Sequence, residues 1–251
     1  RNVLETMVRL AQPTNHPEWL ARIAHWRADA AGHDILSRES DALFPQYVVR
    51  AISEQTEGNA LIVSDVGQNQ MWEAQYYVHR RNNTLLTSGG LGTMGFALPA
   101  AMGAKIGRPD DPVWVIAGDG GIQMNIQELA TITQEKLNIK IAILNNGYLG
   151  MVRQWQQFFF EGRYSGTPLS GPDFVKLAEA YGILGLRVTE KAEAAPAIRQ
   201  ALEHPGPALI DFRVVQEENV YPMVRPGDSI SQMMRRPKPA LQDGAPEEVQ
   251  A

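Results

Sequence analysis

From about Pro45 onward the chain alternates short apolar runs with longer segments whose apolar residues recur at helical spacing. Four runs have strand length: Leu61-Ile62-Val63-Ser64-Asp65, Val113-Trp114-Val115-Ile116-Ala117, Ile139-Lys140-Ile141-Ala142-Ile143-Leu144 and Ala208-Leu209-Ile210-Asp211-Phe212. Helix-length segments separate them: Met71 to Val78, Phe96 to Lys105, Ile126 to Glu135, Met151 to Phe160, Asp173 to Tyr181 and Ala194 to Glu203. Strands that read as continuous apolar runs, spaced by helices, predict a parallel sheet covered on both faces. The expected fold class is α/β, a doubly wound, mostly parallel sheet whose ligands sit beyond the carboxyl ends of the strands. No internal repeat is present. Before Pro45 the sequence is polar and heterogeneous, with one helical stretch around Trp19-Leu20-Ala21-Arg22-Ile23-Ala24. From Arg235 it turns to Pro, Gln, Asp and Glu, which predicts a disordered tail over 235–251.

Composition narrows the classes. A chain of 251 residues can bury one full core without staples. It begins at Arg1, so a fragment or processed piece is expected. No apolar run approaches the ~18 residues of a membrane span. The absence of cysteine excludes disulfides, thiolate zinc sites and a thiol nucleophile, and fits a reducing compartment. The five histidines never fall at HxxxH spacing, so each is expected to be solvated or singly hydrogen-bonded. With a net charge of −5 and one basic cluster (Arg235, Arg236, Lys238), nucleic acid is not an expected partner.

Three glycine- or asparagine-rich loops follow expected strands. Gly118-Asp119-Gly120-Gly121 ends one, and Asn145-Asn146-Gly147 ends the next, with residues 121–144 between, room for one helix and one strand. The two loops should therefore share a crevice. Asp119 offers a carboxylate, Asn146 an amide oxygen, and a carbonyl just beyond could add a third ligand, which suits Mg²⁺ with phosphate oxygens. The glycines would let backbone N–H groups approach a diphosphate. Two unrelated turns remain an alternative; a hairpin at Asn146-Gly147 is disfavoured because helical spacing follows. The third loop, Gly90-Leu91-Gly92-Thr93-Met94-Gly95, matches GxGxxG, with Asp119 where a dinucleotide-binding domain places its ribose-binding acid. That rival has a short first strand and leaves the Asn pair unexplained.

Gly118-Asp119-Gly120 followed at this spacing by Asn145-Asn146 resembles the thiamine-diphosphate fingerprint. Val66-Gly67-Gln68-Asn69-Gln70-Met71-Trp72, Thr87 to Phe96, Leu149-Gly150-Met151-Val152-Arg153-Gln154-Trp155 and Tyr221-Pro222-Met223-Val224 resemble the acetohydroxyacid (acetolactate) synthase catalytic subunit, over about Gln46 to Met234. The resemblance implies that Asp119, Asn146 and the Tyr148 carbonyl ligate Mg²⁺. Gly67 and Gln68, with the backbone at Gly120 and Gly121, would hold the diphosphate, and Val66 and Met151 would complete the cofactor-binding set. Met94 would be the apolar wedge bending thiamine diphosphate, with the Gly92 carbonyl near its aminopyrimidine; packing into the core is the plain alternative for Met94. Met151 and Trp155 would line the substrate pocket. The implied reaction joins pyruvate to pyruvate or 2-ketobutyrate in branched-chain amino acid synthesis.

Glyoxylate carboligase, pyruvate oxidase, a 2-keto-acid decarboxylase or a fragment without activity are the alternatives. Three residues depart from the family: Gly121 stands where Ser is common, Asn69 where His is frequent, and Gly147 where a larger polar residue is usual. The family also implies an activating glutamate and FAD on preceding domains, a homo-oligomer with sites at the dimer interface, and a small regulatory subunit. Its expected location is cytoplasm or an organelle stroma or matrix. On this resemblance residues 1–45 are a linker and 46–234 the cofactor-binding domain with a C-terminal arm.

Overall fold

The computed structural model describes residues 2–12 and 14–237. They fall into two compact units, one from the described residues before Glu39 and after Tyr221, the other Glu39–Tyr221. In the first, α1 (Asn2–Leu10) and α2 (Pro17–Ala31) bury no residue. Pro17 opens α2, where a missing N–H costs nothing. The C-terminal arm closes on itself through an antiparallel bridge between Met223 and Met234, and its Arg235 guanidinium pairs with the Asp29 carboxylate of α2. Residues 238–251, most of the expected disordered tail, lie outside the described residues.

The second unit is built on six parallel strands: β1 (Leu61–Ser64), β2 (Leu85–Thr87), β3 (Val113–Gly118), β4 (Ile139–Asn145), β5 (Leu184–Val188) and β6 (Ala208–Arg213), in the order β2-β1-β3-β4-β6-β5. Each pair is parallel, as the continuous apolar runs require. Alternate residues serve opposite faces. Ile62, Trp114, Ile116, Ala142, Leu144 and Ile210 pack against α3 (Pro45–Gln55), α4 (Gln68–Tyr76) and α10 (Lys191–Glu203). Val63, Val113, Val115, Ile141, Ile143 and Leu209 pack against α5 (Ala97–Gly107), α7 (Glu128–Gln134) and α9 (Phe174–Ala180). Two more helices, α6 (Asp119–Ile122) and α8 (Gly150–Phe159), begin at the carboxyl ends of β3 and just beyond β4.

Successive strands run outward from β1 to β2, then back across to β3 and on to β4. Connections therefore diverge between β1 and β3, which opens a crevice there at the carboxyl edge.

Several elements differ from the sequence expectation for identifiable reasons. β2 and β5 are edge strands; β5 carries Gly185 and Arg187, so no continuous apolar run marks it. α10 starts three residues before the expected Ala194 because Glu190 and Glu193 form a capping box ahead of its apolar face. α4 begins at Gln68 rather than Met71, and its first turn is buried although polar. His79 is bonded at both ring nitrogens, to Glu73 Oε1 (2.8 Å) and Thr84 Oγ1 (3.1 Å), not solvated or singly bonded as expected.

Ile116 lies in the middle of the sheet and is fully buried. Ile116→Ala is expected to destabilise the protein by about 3 kcal/mol, the cost of lost burial plus a cavity. Equilibrium urea unfolding with an unchanged slope checks it.

Candidate functional site

A cavity of about 90 Å³ lies at the divergence of β1 and β3. Its wall brings together Val66, Gly67 and Gln68 after β1, Met94 from the GxGxxG loop, Gly118 to Gly121 after β3, and Asn146, Tyr148 and Met151 after β4. Thus all but two of the site residues expected from sequence converge on one cavity. Gly92 is exposed and stands beside the wall; a Cβ added to it would meet Val66 Cγ1 at 3.8 Å. Trp155 stands apart: 39% exposed, with its ring edge-on to Phe159 at 5.1 Å. Met151 and Trp155 were expected to share one pocket-lining face, and only Met151 lines this cavity.

The Asn pair divides by strand alternation. Asn145 turns away from the cavity and donates to Asp211 Oδ1 (2.9 Å), tying β4 to β6. Asn146 faces it, donating to Gln68 Oε1 (3.2 Å) while its Oδ1 accepts from the Tyr148 N–H (3.1 Å). Gln68 Nε2 is committed in turn to Gln154 Oε1 (2.8 Å) and the Glu218 carbonyl (3.0 Å). Gln154 binds the Val220 backbone at both N–H and C=O. The Gln68 side chain is thus a strut between the β1, β4 and 218–220 segments. Gly67, beside it on the cavity wall, has φ 138°.

Asp65 was not singled out from the sequence, though it ends the first apolar run. Its buried carboxylate accepts the N–H groups of Val66 (2.8 Å), Gly95 (3.0 Å) and Ala97 (2.9 Å), pinning the Gly90–Gly95 loop to β1. Asp65 also explains Gly121. A Cβ there would sit 2.6 Å from Asp65 Oδ1, so a serine would displace the carboxylate. Asn69, which stands where the resemblance led one to expect a histidine, donates to the Asp65 and Ile116 carbonyls (2.6 and 3.2 Å), tying β1 to β3. Gly147 has φ 72°, a conformation that favours glycine.

Asp119 is the one carboxylate on the cavity wall and is 3% exposed. Burial pushes its pKa up from 3.8 to about 6, against the N–H groups of Asp119 itself, Gly147 and Gly120, which pull it down; Asp211 adds a further push. A buried carboxylate with only backbone donors around it is a place where a cation is favoured. The donor set fits a hard, oxygen-seeking cation: one carboxylate, the Asn146 amide oxygen and backbone carbonyls. Among the described residues no cluster of three His, Cys, Asp or Glu side chains competes for a metal. Gly120 is packed closely by its neighbours: a Cβ there would meet Leu149 Cδ2 at 2.9 Å and Leu169 Cδ1 and Met94 Cε at 3.1 Å, so the loop has room for glycine alone.

A family profile, "Thiamine pyrophosphate enzyme, C-terminal TPP binding domain", matches residues 65–212. The chain belongs to the thiamine pyrophosphate enzymes. Within that family it is 43% identical over 234 residues to the acetolactate synthase isozyme 2 large subunit of Escherichia coli, covering 90% of this chain and 41% of the relative. It is 46% identical over 233 residues to the acetolactate synthase large subunit of Corynebacterium glutamicum, covering 90% and 37%. Against acetolactate synthase 1, chloroplastic, of Nicotiana tabacum it is 47% identical over 202 residues, covering 77% and 30%. The chain thus spans about two fifths or less of the length of these relatives. The dinucleotide reading of Gly90–Gly95 falls with this finding, and the geometry says why: the loop packs on Asp65 at an edge of the crevice, after a three-residue edge strand. No helix among the described residues is long and apolar enough to cross a membrane.

The raised Asp119 pKa fixes the sign of a pH effect on the cofactor-free protein. A raised carboxyl pKa contributes stability below about pH 3.8 that is lost as pH rises through about 6. Asp119→Asn is free of this loss, so its stability relative to the parent should grow between pH 4 and pH 7, by up to about 3 kcal/mol. Paired chemical denaturation at the two pH values measures it; a constant difference would mean that Asp119 titrates normally.

Proposed function

We propose that this chain is the thiamine-diphosphate- and magnesium-binding part of an acetolactate synthase large subunit, acting in branched-chain amino acid biosynthesis. The protein it belongs to condenses pyruvate with a second 2-keto acid, pyruvate or 2-ketobutyrate. One observation carries the reading: Asp119, Asn146 and Tyr148 meet glycine-lined backbone on a single cavity, in a chain whose relatives at 43–47% identity are named acetolactate synthases.

In this reading the Asp119 carboxylate, the Asn146 amide oxygen and the Tyr148 carbonyl hold Mg²⁺. The backbone at Val66, Gly67, Gln68, Gly120 and Gly121 receives the diphosphate. Met94, whose Cε lies close to Gly120, would be the apolar wedge against the cofactor, and the Gly92 carbonyl would serve the aminopyrimidine. Thiamine diphosphate supplies the electron sink for decarboxylation. The chain's own residues orient it and exclude water on the Met94, Leu149 and Met151 side. Met151, on the cavity wall, would face the substrate, while Trp155, 39% exposed, does not line this cavity.

Leu91 is 95% exposed, and Gly89 and Gly90 have open space where a side chain would be. These support a site completed by residues beyond this chain, from a second subunit of a homo-oligomer. FAD and any regulatory subunit belong to those further parts.

The test is the product made from pyruvate by the protein containing this chain, with thiamine diphosphate and Mg²⁺. Acetolactate is expected, with 2-aceto-2-hydroxybutyrate added when 2-ketobutyrate is supplied. Acetaldehyde or acetate alone would assign a decarboxylase or an oxidase instead. By calorimetry, Asp119→Ala is expected to lower Mg²⁺-dependent cofactor affinity by at least about a hundredfold, since no other acid lines the cavity.

A further inference from the structure

Arg153 is among the largest fully buried side chains of the protein, at 1% exposure. Its guanidinium has no carboxylate at salt-bridge distance among the described residues. It donates instead to two neutral amides, Gln157 Oε1 (3.1 Å) and Asn219 Oδ1 (2.9 Å), and its Nε has no partner at all. The rings of Tyr148 and Tyr164 lie 5.6 and 5.9 Å from its central carbon. A guanidinium cannot shed its proton. An ion buried without a counter-ion is costly, and neutral amides and ring faces offset only part of that cost.

The position of this charge relates it to the cofactor. Tyr148, whose ring faces the guanidinium, lines the cavity, and so does Met151, two residues before Arg153. Gln154, the next residue, holds the Gln68 strut. Resting on the reading above, the loaded site is negative: the diphosphate together with Asp119 outweighs a divalent cation and the thiazolium. We propose that Arg153 is the buried counter-charge of this site, attracting the diphosphate from behind the Tyr148 wall without touching it. The deficit of the empty fold and the excess of the loaded site then cancel. Gln157, Asn219, Tyr148 and Tyr164 hold the charge in place.

A charge role and a packing role differ in how they depend on the charge of the ligand. Titration calorimetry with Mg²⁺ present, using thiamine diphosphate and thiamine monophosphate against the parent, Arg153→Met and Arg153→Lys, separates them. Arg153→Met is expected to weaken thiamine diphosphate about tenfold and the monophosphate clearly less, so that the preference for diphosphate shrinks. Arg153→Lys should keep most of that preference. Equal weakening of both ligands, no weakening, or a lysine variant as poor as the methionine one would overturn the counter-charge. If Arg153→Met does not fold, Arg153→Gln, which can still donate to Asn219, takes its place in the same comparison. A parent that binds neither ligand would overturn the cofactor-site reading and this proposal together, whereas a parent that binds normally leaves that reading intact whatever Arg153 does.

Discussion

The carboxylate of Asp119 sits almost out of water at the end of a central strand, and much of the structure around it can be derived from that one placement. Burial is the main cause that raises its pKa, to a net value of about 6. The fold offsets part of this with N–H groups from Gly120 and from Gly147 on the neighbouring loop, which brings the ends of β3 and β4 together. Glycines are needed for this approach: Gly147 adopts φ 72°, and a Cβ at Gly150 would come within 2.1 Å of Gln68 Oε1. What backbone donors leave unmet, a cation can supply.

Around that centre lies a layer of side-chain amides and two carboxylates, Asp65 and Asp211, that do the positioning. Gln68, Asn146 and Gln154 form one chain of hydrogen bonds that runs from the end of β1 across the cavity to the 218–220 segment. Asn145 and Asp211 form a second, under β4 and β6. Asp65 forms a third, fastening the Gly90–Gly95 loop. Buried polar networks of this kind are costly when half satisfied and rigid when complete, which suits a site that must present several oxygen atoms in fixed relation.

The fold was legible because its central strands are apolar on both faces, so β1, β3, β4 and β6 were each visible as an unbroken run. The edges were not: β2 has three residues and β5 is interrupted by Gly185 and Arg187. α1 was also missed, although Val3, Leu4, Met7 and Val8 follow helical spacing in a segment that buries nothing. At the site, loops after strands identified Asp119, Asn146 and the glycines, because backbone conformation and metal chemistry restrict residue choice there. Residues whose work is long-range pairing were invisible. Nothing local in the sequence says that Gln68 meets Gln154 or that Asp65 meets Gly95, partners 86 and 30 positions away. Trp155 shows the converse limit: its spacing from Met151 was read correctly as helical, but four residues along a helix that passes the cavity carried it out of the wall.

In the proposed reading Asp119, Asn146 and Tyr148 together hold the metal of a bound thiamine diphosphate. A crystal structure with thiamine diphosphate and Mn²⁺ in place of Mg²⁺, located by anomalous scattering, tests it most directly. One manganese peak is expected, bonded to an Asp119 carboxylate oxygen, Asn146 Oδ1 and the Tyr148 carbonyl, with diphosphate oxygens completing the shell. A manganese bound elsewhere, or a diphosphate seated with the Asp119 carboxylate still turned to the Gly147 N–H and no metal on it, would contradict the account.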